Sequence, residues 1–389
     1  MKILYHHRIA SKDGQAVHVE EMIDALRELS CDVIVVAPPG WSDSEFGGGG
    51  GATATLRAIL PRAASEVLEL AYNWIAYRRL SRAVRLHRPD VVYERHNLYL
   101  LAGTWIRRKF KLPFLLEVNS PLAIERGRHG GLGLPYIAQK LETAVWKSAD
   151  AVLPVTTVLA NILEAHGVPR DRLHVIPNGI NPAMFAGAPS NEEAKRRLGC
   201  EGRLILGFTG FVRPWHGLDV ILDYIATSRH PETTLLVVGD GPARESLVEQ
   251  AARLGISDRI RFSGIVERAR IPELVAAFDI ALQPASTPYA SPLKLFEYFA
   301  LGLAVVAPRQ ANLMEIIVDG ENGLLFDPEN RPSLYSALDR LIADPSLRSR
   351  IGSAARGTIH DRNMTWQGNA QRVKALADLL TEESQAASG

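Results

Sequence analysis

The 389-residue sequence has few of the residues that hold small extracellular folds or structural metal sites together. It contains two cysteines, Cys31 and Cys200, which are too few for a disulfide framework or a four-cysteine zinc site. It has no uninterrupted apolar run of the roughly 18 residues that a membrane-spanning helix needs. The opening residues, MKILYHH, are too polar for the apolar part of a signal peptide. We therefore expect a cytoplasmic protein.

The sequence also lacks a net charge of either sign. It has 44 basic and 43 acidic side chains, for a formal net charge of +1, which gives no basis for nucleic-acid binding. Residues 57–111 are a local exception, with 12 basic and four acidic side chains and with Trp74 and several leucines between them. This segment fits either a solvated basic face or a peripheral contact with the inner face of an anionic membrane.

Short apolar runs alternate with longer amphipathic stretches along most of the chain. The runs at 33–37 and 235–238 are apolar throughout, as is typical of parallel strands buried on both faces. The stretches 17–29 and 218–227 have apolar residues at helical spacing. Residues 182–202, rich in proline, glycine and charge, separate two such series. The pattern predicts two doubly wound α/β units, which bind ligands beyond the carboxyl ends of their strands.

Three glycine-containing turns follow predicted strands. They are Ser11–His18, Gly207–Gly217, which adds the cations Arg213 and His216, and Gly239–Gly241. Glycine lets backbone amides approach an anion at a helix N-terminus, and arginine offers a planar fork to phosphate oxygens. Such turns also close ordinary strand–helix units, and none of them has the spacing of a dinucleotide fingerprint. Each is therefore only weak evidence for a phosphate site.

The most specific pattern lies at 289–307. Ser291 is a suitable N-cap and Pro292 a suitable first residue of a helix that is apolar except for Lys294 and Glu297. A buried carboxylate is costly unless it is paired. The partner of Glu297 is either Lys294, one turn earlier, or a vicinal diol such as a ribose, which can donate two hydrogen bonds.

Taken in this order, the four stretches resemble the family-4 retaining glycosyltransferases of the GT-B fold. Residues 175–180, 261–264 and 322–326 are also similar to the family pattern, and the resemblance covers most of residues 1–360. It implies an α/β protein in which two Rossmann-like, doubly wound domains face a central cleft.

The resemblance also implies a division of labour between the domains. Residues 1–183 would form the acceptor-binding domain, and residues 200–361 the domain that binds the nucleotide sugar. A C-terminal helix within 362–382 would cross back to the first domain.

Most of the predicted site residues follow from the resemblance alone. Glu297 would hold the ribose hydroxyls, and the backbone around Ile265 and Val266 would meet the base. His18 and Tyr289 would lie on the acceptor side. The residues expected to bind the diphosphate or the sugar are Gly14, Gly210, Arg213, Gly241, Ser291, Pro292, Leu293 and Lys294.

Several positions depart from the family pattern. Tyr289 stands at the first position of Glu-x7-Glu, so one sugar-contacting carboxylate is absent. At the two positions where the family usually has a basic pair, this sequence has Phe211 and His216. Arg213 would replace the cation that is missing at Phe211. A histidine that often follows a strand of the first domain is also absent, and Glu117 or Asn119 would take its place near the donor sugar. The expected catalytic residues are thus Arg213, His216, Glu117 and Asn119.

An unperturbed histidine titrates near pH ~6.5. If His216 faces the diphosphate, we expect it to make donor affinity depend on pH near neutrality, whereas a structural histidine would not.

The implied reaction moves a sugar, with retention, from a UDP- or GDP-type sugar to a hydroxyl of a glycan, a lipid-linked acceptor or a small molecule. It would belong to cell-envelope or glycoconjugate biosynthesis. The sequence has no Asp-x-Asp motif, and its nearest approach is Asp43–Glu45, so we expect no catalytic metal and no other cofactor. Two alternatives stay open: a nucleotide-sugar epimerase of the same architecture, and a nucleotide-sugar-binding module without turnover.

Overall fold

The computed structural model describes residues 1–9, 14–38, 41 and 60–386. The chain forms two compact units. The first comprises Met1–Pro177 together with Trp366–Gly389, and the second comprises Asn178–Thr365. Each unit contains one parallel sheet with helices between the strands, which confirms the predicted α/β class.

The first unit is built on a five-stranded sheet. Its strands are β1 (Lys2–His6), β2 (Asp32–Val36), β3 (Val91–Arg95), β4 (Phe114–Val118) and β5 (Ala151–Pro154). Its helices are α1 (Gly14–Glu28), α2 (Arg62–His87), α3 (Ala102–Phe110), α4 (Leu122–His129), α5 (Pro135–Ser148), α6 (Thr157–Ala165) and, from the end of the chain, α16 (Trp366–Ala386). The strand order is β2-β1-β3-β4-β5 and all pairs are parallel. The order therefore reverses between β1 and β3.

The second unit is built on a six-stranded sheet. Its strands are β6 (Leu204–Thr209), β7 (Thr233–Val238), β8 (Ile260–Phe262), β9 (Ile280–Leu282), β10 (Ala304–Pro308) and β11 (Leu324–Phe326). Its helices are α7 (Pro182–Ala186), α8 (Asn191–Leu198), α9 (Leu218–Thr227), α10 (Arg244–Arg253), α11 (Ile271–Val275), α12 (Leu293–Ala300), α13 (Ala311–Met314), α14 (Arg331–Ala343) and α15 (Pro345–Asp361). The strand order is β11-β10-β9-β6-β7-β8, again all parallel. The order reverses between β6 and β9, which is where such sheets bind ligands.

Burial on both faces explains why these strands are apolar throughout. In β10, Val305 packs into one hydrophobic cluster and Val306 into another on the opposite face of the sheet. Successive side chains of a strand point to opposite faces, so both faces need apolar residues. Covering helices supply the second layer of each cluster, for example Phe296 of α12 in the first and Ile221 of α9 in the second.

The alternating pattern also predicts a strand at 174–176, and this prediction is wrong. This stretch runs beside β5, where the His174 amide donates to the Val152 carbonyl at 3.0 Å, but only an isolated bridge between Val152 and Leu173 forms. Pro177 follows directly, and because proline has no N–H it cannot extend a ladder.

Helix α16 packs on α1 and belongs to the first unit, although it follows the whole second unit in the chain. The Trp366 ring is buried and lies 4.8 Å from the His18 ring, centroid to centroid. The Asn369 side-chain amide donates to the Pro177 carbonyl at 2.7 Å. Among the described residues, no helix has the length and apolarity needed to cross a bilayer.

Candidate functional site

The second sheet presents two glycine turns at the reversal of its strand order. Gly210 directly follows β6 and has a φ of +127°, a conformation that favours glycine. A Cβ atom at Gly241 would overlap the Val212 carbonyl oxygen, so the turn after β7 also requires glycine. The two turns thus bring backbone close to backbone beyond the ends of β6 and β7.

Lys294, in the first turn of α12, points toward the Gly210 turn. A Cβ atom at Gly210 would lie 3.6 Å from its ammonium nitrogen, which sits 3.7 Å from the centre of the Phe208 ring. No carboxylate lies within 4 Å of this nitrogen in the described part of the chain. Burial lowers the pKa of Lys294 to about 7, with a smaller opposing effect from Glu297. Near neutral pH this lysine is therefore only partly charged, and it has no carboxylate partner among the described residues.

Burial also acts on the carboxyl group of Glu297, one turn further along α12. Burial raises the pKa of its carboxyl group, and Arg268 and Lys294 offset only part of this effect. Its Oε2 atom is buried and has no hydrogen-bond partner among the described residues. The i, i+3 ion pair with Lys294 that the spacing allowed is not formed. A buried carboxylate oxygen without a partner is costly, so it marks a place where a ligand can donate.

His216 does not behave as the sequence predicted. Its Nδ1 atom accepts a hydrogen bond from the Arg213 amide at 3.2 Å, and its ring lies 5.2 Å from the Phe208 ring. Burial, followed by the charges of Lys294 and Arg213, lowers the pKa of His216 to about 3. The expected titration near neutrality is therefore wrong: at neutral pH this imidazole is uncharged and carries its proton on Nε2.

Arg213 is exposed at the same turn and is held by stacking. Its guanidinium carbon lies 4.9 Å from the centre of the Phe211 ring and 5.1 Å from that of Trp215. The two exposed aromatic rings limit the positions that the side chain can sample. Arg213 and Lys294 are thus two basic side chains near the turn that follows β6.

Ser291 does not cap α12, so the N-cap predicted from the sequence is wrong. The helix begins at Leu293 with Pro292 at the cap position, and no side chain caps it. The Ser291 hydroxyl instead accepts from the Asn178 amide at 3.2 Å, and the Asn178 side chain donates to the Ser291 carbonyl at 2.5 Å. The first amides of α12 are left without a side-chain cap, so they can donate to an anion.

The remaining predicted residues occupy varied positions. Ile265 is exposed, Val266 packs partly against a core cluster, and Tyr289 is buried. In the first unit, Gly14 is exposed at the first position of α1, whereas Ser11–Asp13 and Asp43–Glu45 lie outside the described residues.

Glu117, near the end of β4, is the centre of a buried polar cluster in the first unit. Its carboxylate accepts hydrogen bonds from Tyr93 at 2.7 Å, from Arg95 and from Asn119, and it pairs with His18 at 3.0 Å. Burial alone would raise the pKa of Glu117, but the charges of His18 and Arg95 outweigh it and hold this pKa well below its usual range. The carboxylate is therefore ionised and fully occupied by protein partners.

The contacts in this cluster decide which of the predicted residues of the first unit could touch a sugar directly. Glu117 and Asn119 hydrogen-bond to each other, so a direct role for Glu117 at the sugar would require one of these bonds to break. His18 is buried between Glu117 and Trp366. Glu117 is thus suited to orienting Arg95 and His18. Sequence reasoning missed Arg95, although two adjacent charged residues at the end of the predicted strand VVYER were a usable signal.

His7, directly after β1, was also missed. Burial and the neighbouring His6 and Arg95 lower its pKa to about 3, and its Nε2 atom has no hydrogen-bond partner among the described residues. Within those residues no group of three or more histidine, cysteine, aspartate or glutamate side chains could hold a metal ion.

Comparison with known families and proteins agrees with this architecture. The family described as "Glycosyl transferases group 1" matches residues 190–358, and the "Glycosyl transferase 4-like domain" matches residues 13–179. A 2-deoxystreptamine glucosyltransferase from Streptomyces kanamyceticus is 28% identical over 354 residues, which cover 85% of this chain and 90% of the relative. A D-inositol 3-phosphate glycosyltransferase from Acidothermus cellulolyticus is 27% identical over 316 residues, covering 77% and 69%.

Solved GT-B structures have the same fold. HepE of Anabaena, solved in complex with UDP, aligns with a TM-score of 0.76 at 21% identity and covers 97% of this chain and all of HepE. Sucrose-phosphate synthase from Thermosynechococcus elongatus aligns with a TM-score of 0.78 at 18% identity, covering 98% and 100%. With two parallel sheets, and with family matches that span both units, this chain belongs to the group 1, family-4-type glycosyltransferases of the GT-B fold.

Proposed function

We propose that this glycosyltransferase takes a sugar from a UDP- or GDP-type nucleoside diphosphate sugar and transfers it, with retention, to an acceptor hydroxyl. The second unit would bind the donor and the first unit the acceptor. HepE, solved with UDP and with UDP-glucose, offers a precedent for such a donor on the same fold.

The observation that carries the proposal is the unpaired charge pattern on α12. Lys294 and Glu297 lie one helical turn apart, yet the ammonium faces the Gly210 turn and the carboxylate keeps a buried oxygen without a partner. A nucleoside diphosphate has the complementary pattern, because its phosphates are anionic and its ribose diol donates hydrogen bonds. Glu297 would accept from the diol, while Lys294, Arg213 and the first amides of α12 would meet the diphosphate.

This arrangement also supports a transfer step that needs no metal ion. The charge that develops on the departing diphosphate would be met by Lys294, Arg213 and backbone amides, which are already in place. In the same-face mechanism of this family, the acceptor oxygen forms its bond to the anomeric carbon as the bond to the diphosphate breaks. The acceptor proton passes to the departing diphosphate oxygen.

The test is the substitution Glu297→Gln, which keeps the shape of the side chain and removes its charge. Loss of a charge-assisted hydrogen bond costs about 1.5–3 kcal/mol, so affinity for UDP or GDP sugars should fall by roughly 10- to 150-fold. Titration calorimetry measures the affinity, and thermal unfolding checks that the variant remains folded. The exposed Glu249→Gln on α10 is the matched control and should bind like wild type.

Unchanged affinity in folded Glu297→Gln would show that Glu297 does not bind the ribose hydroxyls. A product assay with nucleotide sugars and candidate acceptors then tests the reaction. Release of nucleoside diphosphate together with a glycosylated product supports transfer. Free epimerised donor would identify an epimerase, and saturable binding without a product would identify a binding module.

A further inference from the structure

Helix α2 of the first unit turns polar side chains inward in its first half, whereas its second half buries apolar ones. It buries Glu66, Glu69 and Asn73, whereas Trp74 and Ile75 are 62% and 54% exposed. Val67 and Leu68, in the preceding turns, are also exposed. Surface helices normally place their apolar face toward the core. These four large apolar side chains, exposed on one helix, point to a partner.

Specific hydrogen bonds hold the polar side in place. Glu66 accepts from the Tyr99 hydroxyl and from the Gly133 and Leu134 amides, each at 2.8 Å. Two further bonds at 3.0 Å join Glu69 to the Arg126 guanidinium. Rolling the apolar face inward would break these bonds and leave two carboxylates without partners. The outward position of Trp74 and Ile75 is therefore a stable property of the fold.

The same exposed face becomes basic toward the end of the helix. Arg78, Arg82 and Arg85 continue the three- and four-residue spacing that begins at Trp74, so they lie on one side of α2. The helix has no other acidic residues than Glu66 and Glu69, and both are buried. The outward face of α2 thus presents apolar and basic groups with no acidic one.

Helix α3 extends this surface with Trp105 and Lys109, which meet Tyr77 of α2. The Tyr77 ring lies 6.2 Å from the Trp74 ring and 5.9 Å from the half-exposed Trp105 ring. The Lys109 ammonium donates to the Tyr77 hydroxyl at 2.9 Å. Tryptophan and tyrosine are enriched where apolar and aqueous phases meet, and long basic side chains keep their charge in water while their stems cover apolar surface.

We propose that the α2 surface, defined as the outward face of α2 between Val67 and Leu86 together with Trp105 of α3, docks on a bilayer that contains anionic lipids. The apolar groups would enter the interface and the arginines would meet the lipid phosphates. Its charge argues against a second copy of the chain as the occupant, because two such basic faces would repel each other. The proposal concerns where the enzyme is held and does not depend on the donor assignment.

Vesicle co-sedimentation of the full chain tests the proposal. Wild type should sediment with vesicles of phosphatidylcholine and phosphatidylglycerol, but not with phosphatidylcholine alone. Its binding should weaken at high salt, because the Debye length falls from about 10 Å at 0.1 M to about 3 Å at 1 M. The proposal is overturned if wild type does not bind, or if it binds both kinds of vesicle equally at all salt concentrations.

Two double variants separate the apolar and electrostatic contributions. Trp74→Ser with Ile75→Ser, and Arg78→Glu with Arg82→Glu, should each lower the vesicle partition coefficient at least about tenfold. The matched control is Val248→Ser with Arg253→Glu on the exposed face of α10, which should bind like wild type. Because all these side chains are exposed or lie at the surface, thermal unfolding should change little.

Analytical ultracentrifugation without lipid tests the competing explanation, in which the α2 surface binds a second copy of the chain. A wild-type dimer that becomes a monomer only in the Trp74→Ser, Ile75→Ser variant would assign the surface to a second copy and overturn the membrane proposal. Equal vesicle binding by wild type and both α2 variants would overturn it as well.

Discussion

Two ionisable side chains on α12 are both shifted toward their neutral forms. The pKa of Lys294 is lowered to about 7 and that of Glu297 is raised, in each case mainly by burial. A protein that gained stability from these groups would pair them with each other. Here they remain separate, one over the Phe208 ring and the other with a buried oxygen free of partners in the described chain. Perturbed groups of this kind are concentrated at functional sites.

Lys294 should make donor affinity depend on pH. The diphosphate favours the charged ammonium, so the pKa of Lys294 in the complex lies above the value of about 7 in the free protein. Affinity should be highest below pH 7, fall as pH rises from the free to the bound pKa, and then level off. Calorimetric titration with a nucleotide sugar from pH 6 to about 9.5 measures this, since a lysine's ordinary pKa is near ~10.4.

The matched variants identify the titrating residue. Lys294→Arg keeps its charge throughout this range and should give a nearly flat profile. His216→Gln should retain the wild-type profile, because the pKa of His216 is lowered to about 3 and its ring does not titrate there. A pH profile that flattens in His216→Gln and persists in Lys294→Arg would contradict the assignment.

At the scale of elements, α2 shows how hydrogen bonds to other segments can fix which side of a helix is buried. Its carboxylates serve as anchors for other segments: Glu66 accepts the Gly133 and Leu134 amides at the start of α5, and Glu69 binds Arg126 of α4. Asn73 extends this role, because its Oδ1 atom accepts the Leu101 amide at 2.6 Å just before α3. The helix thus organises three neighbouring segments by polar contacts.

Glu66→Ala should therefore destabilise the first unit strongly. It leaves the buried Tyr99 hydroxyl without its partner and removes the acceptor of two backbone amides. Each unsatisfied buried group costs about 1–3 kcal/mol, so we expect a loss of about 3 kcal/mol or more in the free energy of unfolding. Chemical denaturation followed by circular dichroism measures it.

The control for this substitution is Glu249→Ala on α10. Its carboxylate is exposed and only 3.9 Å from the exposed Arg253, so the change should stay within about 0.5 kcal/mol. Equal stabilities of the two variants would show that the Glu66 hydrogen bonds contribute little.

At the scale of the whole molecule, the chain leaves the first unit after Pro177 and re-enters it at Trp366. The second unit is thus inserted between α6 and α16 of the first. The packing of the first unit depends on α16. This helix packs on α1, and its buried residues include Trp366, Val373 and Ala377. Residues at the end of the sequence therefore contribute to the stability of residues at its beginning.

Trp366→Ala should destabilise the first unit by about 3–5 kcal/mol, the usual cost of removing a large buried aromatic side chain. Urea unfolding monitored by circular dichroism should show an earlier transition for about half of the signal, while the second unit unfolds as in wild type. Trp215→Ala, at a half-exposed ring of the second unit, is the control and should shift neither transition by more than about 1 kcal/mol. A single unshifted transition in Trp366→Ala would contradict the dependence on α16.

The local signals in the sequence were sufficient for the architecture and for the position of one helix. Apolar runs and helical spacing predicted two parallel α/β units, and the pattern at 289–307 located Glu297 on α12, whose observed bounds are Leu293–Ala300. These features depend on residues that are close in sequence, because strand burial and helical faces repeat over a few positions. The same reasoning identified the excess of basic residues at 57–111.

Tertiary contacts determined how individual side chains are used. Ser291 bonds to Asn178, 113 positions away, rather than capping its own helix, and Tyr93 reaches Glu117 from 24 positions away. His216 became a neutral ring because the fold buries it near Lys294. Burial and charge at a residue are set by segments distant in sequence, which no local pattern specifies. The orientation of α2 has the same cause. The groups that bond to its inward polar side chains lie on α4, just before α3 and at the start of α5.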